Sequence, residues 1–432
     1  MLPALVWRSI LHRGPRCGRN DRVAYRWRVA TILLKRLSLI FTLLEIIFTG
    51  IGLLLLVPAA ILFTEVLAAT TGPVSASRRP DRTRPAICIL MPAHDEEPVI
   101  ASTLTALCPE LRASDRLLVV ADNCSDDTAA VAASHGAEVI ERIDASRRGK
   151  GYALDFGIRH LAARPPEIVL VVDSDCWIDA DSIDLLAQRC AQSGRPVQAL
   201  NLMHAPPNAG IMTRIASFAW LVKNVARASG MHRLRLPCQL MGTGMAFPWR
   251  CISNADLATG DIVEDVRLGI ALTRAGMPPL FCPAARVTSV FPTSNDAIRT
   301  QRTRWEHGHL KVALSAPLLL AQGVAVGNVP LIGLALDLCV PPLALLLLLV
   351  AGFWGLSAIW YVATRSALPF DIITATMLLL ALAVLLAWLR YGRTVITLGE
   401  LVCAGIYAVW KIPLYARFLL SRQSQWIRSK RE

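Results

Sequence analysis

Apolar and polar residues alternate in three regimes along the 432-residue chain. Both ends carry long apolar blocks, whereas the middle, Val74 to Lys311, mixes short apolar runs with polar stretches. The first block, LSLIFTLLEIIFTGIGLLLLVPAAILFTEVLAA (Leu37–Ala69), exceeds the roughly 20 residues of one bilayer span. It predicts a membrane helix over 46–69 with an interfacial lead-in over 33–45; a tight helical hairpin turning at Gly50 to Gly52 is the alternative. After Trp305 the apolar character returns and predicts spans over about 334–361 and 372–389. A last block, 396–417, is interrupted by Glu400, Lys411, Pro413 and Arg417, and its later half predicts an amphipathic helix in the interface.

Within the middle the period changes. AICILMPAHDEE, RLLVVADNCSDDT and EIVLVVDSDCW are short apolar runs ending in acidic turns, separated by helical stretches such as PVIASTLTALCPEL and GKGYALDFGIRHLAA. Continuous apolar strands alternating with helices predict an α/β domain with a largely parallel sheet covered on both faces. In such sheets ligands lie beyond the carboxyl ends of the strands. His94, Asp95, Glu96, Asp122, Asp173 and Asp175 therefore converge on one edge. No GxGxxG follows the first strand, which excludes a dinucleotide fingerprint. The resulting organisation is a basic segment with an interfacial helix (1–45), a membrane helix (46–69), a polar linker (70–85), a cytosolic domain (86–311) and a membrane region with a basic tail (312–432).

Composition sharpens this picture in two places. The net charge of +13 is concentrated near the two ends, beside the apolar spans, where basic clusters face anionic lipid. Aromatic-basic interleaving and zinc spacing are both missing, so nucleic acid is not expected as a partner. Arginines flank the first span on both sides, so charge bias does not fix its orientation. The 11 cysteines form no CxxC pair, which argues for reduced thiols in core and membrane positions rather than a disulfide framework. No signal-peptide pattern is expected, because the basic start is long and lacks a small-residue cleavage site.

Three constellations can carry chemistry. Asp173 and Asp175, one residue apart on a turn, can share a hard divalent cation such as Mg2+ or Mn2+ bridging substrate phosphates. Helix capping is the competing explanation and suits Asp179 or Asp181 better. In GDIVEDVRLGIALTRAG, Asp261, Glu264 or Asp265 can either complement a helix N-terminus or act as a general base. QRTRW (301–305) can bind phosphate and stack on a sugar, or sit as an interfacial helix. Lys150 can meet a phosphate, and the Gly242–Thr243–Gly244 turn can let a substrate approach the backbone closely. His307 and His309 are expected to be interfacial polar residues.

Taken in order, PAHDEE, ADNCSDDT, GKGYAL, VVDSD, GTGMAF, VED and QRTRW resemble the membrane-bound branch of family 2 glycosyltransferases, which includes cellulose, chitin, hyaluronan and rhizobial chitooligosaccharide synthases. The likeness covers roughly Ala86 to Leu310. It implies a GT-A catalytic fold and a nucleotide-sugar donor, commonly a UDP-sugar. It places Pro92, Ala93, His94 and Glu96 by the uridine, Asp122 near the base, and Lys150 near the nucleotide. Asp173 and Asp175 match the nucleotide and metal carboxylates, with Asp175 the direct ligand. Asp265 matches the catalytic base, beside Glu264. Gln301, Arg304 and Trp305 match the motif that closes over the diphosphate and acceptor.

The implied reaction is a single inverting displacement on to a growing polysaccharide or lipid-linked acceptor, with membrane lipids and polysaccharide export proteins as partners. Single addition to a polyprenyl phosphate and non-catalytic nucleotide sensing are the alternatives. A transporter would draw on Asp337 within a span. Asp95 stands where the family often has Asn, and Val263 replaces a Thr, two departures that bear on donor preference.

Overall fold

The computed structural model describes residues 19–71, 84–292 and 295–420. The expected basic start, most of the polar linker and the basic tail lie outside the described residues. An eight-stranded sheet runs in the order β3-β2-β1-β4-β7-β6-β8-β5. Its strands are β1 (Ile87–Ala93), β2 (Arg116–Asp122), β3 (Glu138–Arg142), β4 (Ile168–Val171), β5 (Trp177–Ile178), β6 (Val197–His204), β7 (Met245–Pro248) and β8 (Leu280–Val290). Strands β3, β2, β1 and β4 are parallel neighbours, as are β6 and β8; β7 pairs antiparallel with β4 and β6, and β5 with β8.

Why β1 reads as an unbroken apolar run follows from its two faces. Ile87, Ile89 and Met91 pack with Ile100 and Leu104 of α2 (Glu97–Leu107) and Leu186 of α5 (Ser182–Ser193). Cys88 and Leu90 point the other way, to Leu154 and Ile158 of α4 (Lys150–Leu161). Alternate side chains enter different cores, so no position is left for a polar residue. The short α3 (Thr128–Ser134) links β2 to β3. The registers Ala93↔Ala121 and Leu90↔Val171 bring the carboxyl ends of β1, β2 and β4 to one edge, as the sequence predicts.

Among the described residues, four helical stretches are long and apolar enough to cross a membrane: Arg28–Thr70, Leu343–Thr364, Leu368–Gly392 and Leu398–Phe418. The first belongs to α1 (Arg19–Thr70), one continuous helix of 52 residues. It replaces the separate lead-in and span, and it runs through Gly50 and Gly52 without the hairpin. Between β6 and β7 the chain forms α6 (Ile211–Leu221), a π-helical turn (Val222–Arg227) and α7 (Ala228–Arg233). After β7 come α8 (Glu264–Arg274), α9 (Asn295–Ala313), α10 (Ala316–Ala325), α11 (Val329–Leu338), α12 (Leu343–Thr364) and α13 (Leu368–Ala387).

The span expected from Leu334 is divided. α11 ends at Leu338 and α12 starts at Leu343, because Pro341 and Pro342 lack the N–H groups that a continuous helix needs. Asp337 therefore lies at the end of a short helix and not inside a span. The final block is three short helices, Leu398–Val402, Ala404–Trp410 and Ile412–Leu420, the first closed by a reciprocal cap between Thr397 and Glu400.

The helices between β6 and β7 dock on these apolar elements. Phe218, Val222 and Ala226 share a core with Ala59, Leu62 and Val66 of α1 and with Ile373 and Leu380 of α13. Gly230 of α7 faces the backbone of Glu65, where a Cβ has no room. Beside this contact Arg227 donates from Nε to Glu65 Oε2 (2.8 Å) and from Nη2 to Asp337 Oδ1 (2.5 Å), while Gln239 Nε2 donates to Asp337 Oδ2 (2.6 Å).

Candidate active site

Strand β4 delivers the DSD turn. Asp173 N donates to Thr243 Oγ1 (3.1 Å), Cys176 N to Asp173 O (3.2 Å), and Thr103 Oγ1 of α2 to Ser174 O (2.8 Å). Asp173, Asp175 and Cys176 each offer one ligand atom within 4.8 Å of the others. The Cys176 thiol donates to Asp175 Oδ1 (3.4 Å), so the hard donors of the group are its carboxylate oxygens. Downstream, the predicted cap is absent: Asp181 precedes α5 with φ 64° and its side chain makes no capping bond. Its neighbour one turn on, Asp184, instead ion-pairs with Arg84 and Arg112.

Lys150, at the first turn of α4, ion-pairs with Asp173 and donates from Nζ to Gly242 O (2.8 Å). Burial alone would push its ammonium down, but Asp173, Glu264 and Asp265 more than offset that and hold it above the usual lysine range. Gly242 has φ +85°, and a Cβ there would lie 3.5 Å from Asp265 Oδ2 and 3.6 Å from Lys150 Nζ. This glycine brings the 241–244 turn against both charged groups. Gln198 pins the turn, accepting from Met241 N (2.8 Å) and donating to Thr243 O (2.9 Å). Gly244 is different from the expected substrate contact: a Cβ there would collide with Val287 and Ala199, so the position is one of close packing.

Glu264 and Asp265 begin α8, and Val266 N donates to Asp265 Oδ1 (2.8 Å). Burial, and then the neighbouring Asp265, push Glu264 up to about 8. Burial also raises Asp265, while the Val266 N–H and the Lys150 and Lys223 ammonium groups restrain that rise. Asp261 is tied elsewhere, to Arg267 and to Lys311 (2.7 Å).

A cavity of about 310 Å³ joins these pieces. Lys150, Asp173, Asp175, Gly242, Thr243, Glu264 and Asp265 line it, together with Gln301, Arg304 and Trp305 from α9. Trp305 packs against Trp220 of α6, ring centroids 5.0 Å apart. Pro92, Ala93, His94, Glu96 and Asp122 do not line this cavity and form a separate cluster at the ends of β1 and β2. There His94 Nδ1 lies 2.6 Å from Asp122 O, Arg142 Nη1 donates to Asp122 Oδ1 (2.6 Å), and Glu96 N donates to Thr128 Oγ1 (2.8 Å). Asp95 and Asn123 adopt φ of 50° and 54° in the adjoining turns, a conformation that short polar side chains tolerate.

His307 is 3% exposed and packs on the ring of Phe418, and His309 lines the cavity in contact with Lys223. Lys223, Asn201 and Trp220 also line the cavity and were not singled out in the sequence. Lys223 had a readable signal, a lone lysine in the apolar stretch FAWLVKNVA.

Residues 85–308, just over half the chain, match the family described as glycosyltransferase like family 2. The chain belongs to glycosyltransferase family 2. An uncharacterized glycosyltransferase of Mycobacterium tuberculosis (strain H37Rv) is 40% identical over 101 residues, covering 23% of this chain and 42% of the relative. A probable glycosyltransferase, YdaM, of Bacillus subtilis (strain 168) is 26% identical over 244 residues, covering 53% of this chain and 56% of the relative. The chain thus spans about half the length of these curated relatives. Among solved structures, the mannosyltransferase PcManGT from Pyrobaculum calidifontis, in complex with GDP-mannose and Mn2+, matches 87% of this chain and 100% of its own, with TM-score 0.52 and 15% identity. The shared fold is the helix-covered GT-A-like sheet that the motif order implies.

Proposed function

We propose that this family 2 glycosyltransferase is a metal-dependent, inverting enzyme. It moves a sugar from a nucleotide sugar, a UDP-sugar by motif likeness, to a growing polysaccharide or lipid-linked acceptor at the cytoplasmic face of the bacterial inner membrane. The supporting observation is the single cavity that gathers Asp173, Asp175, Asp265, Arg304 and Trp305 from three distant parts of the chain. The organisation in this reading is a cytosolic GT-A domain, about 86–311, between membrane segments.

The donor set Asp173 and Asp175 suits Mg2+ or Mn2+, and the mannosyltransferase structure was described with Mn2+. The bound cation would neutralise charge on the departing diphosphate. Arg304 assists from α9. His94, Glu96 and Asp122 hold the base and ribose at the β1–β2 end. Asp265 accepts the proton of the acceptor hydroxyl as that oxygen bonds to the anomeric carbon. The bond from that carbon to the diphosphate oxygen breaks, and the nucleoside diphosphate leaves. Asp265 is partly buried and raised in pKa, which makes it a stronger base than a free aspartate. Trp305 holds the acceptor sugar by stacking.

The test is release of nucleoside diphosphate by the full chain in detergent with UDP-glucose, UDP-N-acetylglucosamine or GDP-mannose, and Mn2+ or Mg2+. Turnover that EDTA abolishes and Mn2+ restores is expected. Turnover untouched by EDTA would remove the metal, and no turnover with bound UDP would favour the nucleotide-sensing alternative. A product ladder supports chain growth, and one added sugar supports single transfer.

A further inference from the structure

The cavity contains cations that the donor half of the site does not use. The π-helical turn Val222–Arg227 places Lys223 and Arg227 on its wall, and α9 adds Arg302 and His309. Residues 302, 305 or 306, and 309 recur at helical spacing and so share one face of α9. Most of the buried cations here are matched: Lys150 by Asp173, Arg227 by Glu65 and Asp337, Lys411 by Glu306. Arg302 is not. It is only 7% exposed, and its Nε and Nη2 are buried without a hydrogen-bond partner among the described residues. Its neighbour is the face of Tyr407, 5.7 Å from the guanidinium carbon to the ring centroid. Lys223 contacts His309 Nε2, and among the described residues no carboxylate forms an ion pair with it. Burial, opposed by Asp265 and reinforced by Arg227, pushes Lys223 down to about 8, and burial with Lys223 pushes His309 well below its usual value.

A buried guanidinium with two unsatisfied N–H groups is costly unless an anion receives them. Its planar fork suits phosphate oxygens, and an ammonium supplies a further point charge. The same cavity is walled by Leu62 of α1, by Pro341, Pro342 and Leu343 at the head of α12, and by Tyr407. Those residues lie within or directly beside helices apolar enough to cross a membrane. A ligand filling this half is therefore anionic at one end and apolar at the other.

We propose that Arg302, Lys223 and His309 form a subsite for the phosphate of a lipid acceptor, with its hydrocarbon against α1 and α12 and its accepting phosphate oxygen toward Asp265. This rests on the glycosyltransferase reading and selects, within it, a phosphate-bearing lipid rather than a neutral glycan end.

Binding to the full chain in nanodiscs, followed by calorimetry with farnesyl phosphate, farnesol, inorganic phosphate and UDP–Mn2+, tests it. Farnesyl phosphate is expected to bind about tenfold or more tightly than either farnesol or inorganic phosphate, since both ends contribute. Arg302→Ala and Lys223→Ala each weaken farnesyl phosphate about tenfold, Arg302→Lys recovers part of the loss, and UDP–Mn2+ affinity stays within about twofold. The UDP measurement also reports that each variant is folded. Equal binding of farnesol removes the phosphate from the proposal, and equal binding of inorganic phosphate removes the lipid. A parallel loss of UDP affinity assigns these cations to the donor diphosphate and overturns the subsite. Failure of the wild-type chain to bind UDP–Mn2+ would instead undercut the transferase reading itself.

Discussion

Glu264 and Asp265 are adjacent carboxyl groups on one cavity wall, and their environments separate their roles. Burial first, and then the neighbouring Asp265, push Glu264 up to about 8, so its folded form keeps a proton where a free glutamate has lost it. Because the folded value lies above the unfolded one, the folded state binds the extra proton between about pH 4.5 and 8, and stability falls as pH rises across that window. Glu264→Gln should flatten that slope and raise the melting temperature relative to wild type at pH 8. A thermal-shift series from pH 5 to 9 in detergent checks this, and an unchanged slope sinks the assignment. For Asp265, replacement by Asn keeps the shape and removes the base. Turnover should fall about 100-fold or more, within the range general-base removal gives, while UDP affinity is retained. Single-turnover product release beside UDP titration separates the two readouts. These acids were readable in the sequence because a family motif orders them. Lys223 and Arg302 are harder to read: one is marked only as a lysine in an apolar stretch, the other lies inside QRTRW, and the role of each comes from what fails to pair with it.

At the scale of elements, strands and helix identities were legible and junctions were not. The alternation of apolar runs and helical stretches predicts β1, β2 and β4 and their shared edge. The division of the expected span at Pro341 and Pro342 was hidden by an apolar run that continues on both sides. Hydropathy does not register a missing N–H. The consequence is a three-way junction: Arg227 of the π-helical turn, Glu65 of α1 and Asp337 of α11 meet in a buried network. Removing the arginine leaves two buried carboxylates together, a change that costs about 3–5 kcal/mol when one partner of a buried pair is lost. Arg227→Met should therefore lower the melting temperature sharply, and adding Glu65→Gln and Asp337→Asn should restore much of it. Equal stability of the single and triple variants would show that the network does not hold α1 to the catalytic side.

For the molecule as a whole, the expected boundary between a cytosolic domain and its membrane segments follows the chain but not the packing. Phe218 and Val222 sit between β6 and β7 in sequence, yet they share a core with α1 and α13. Leu62, Pro342 and Tyr407 close the cavity that Asp173 and Asp265 open. A linear reading assigns each residue to the block it interrupts, so contacts between blocks separated by a hundred residues or more escape it. A fragment spanning 84–313 would keep the sheet and the acidic turns but expose the apolar face of α6 and the π-helical turn. It is expected to self-associate during size-exclusion chromatography with light scattering. Replacing Phe218 and Val222 with polar residues should shift it toward monomer without restoring transfer to a lipid acceptor, because the membrane-side wall is still missing. A monomeric unmodified fragment with full transfer activity would show that the spans only anchor a self-sufficient enzyme. The opposite outcome makes the membrane helices part of the acceptor site.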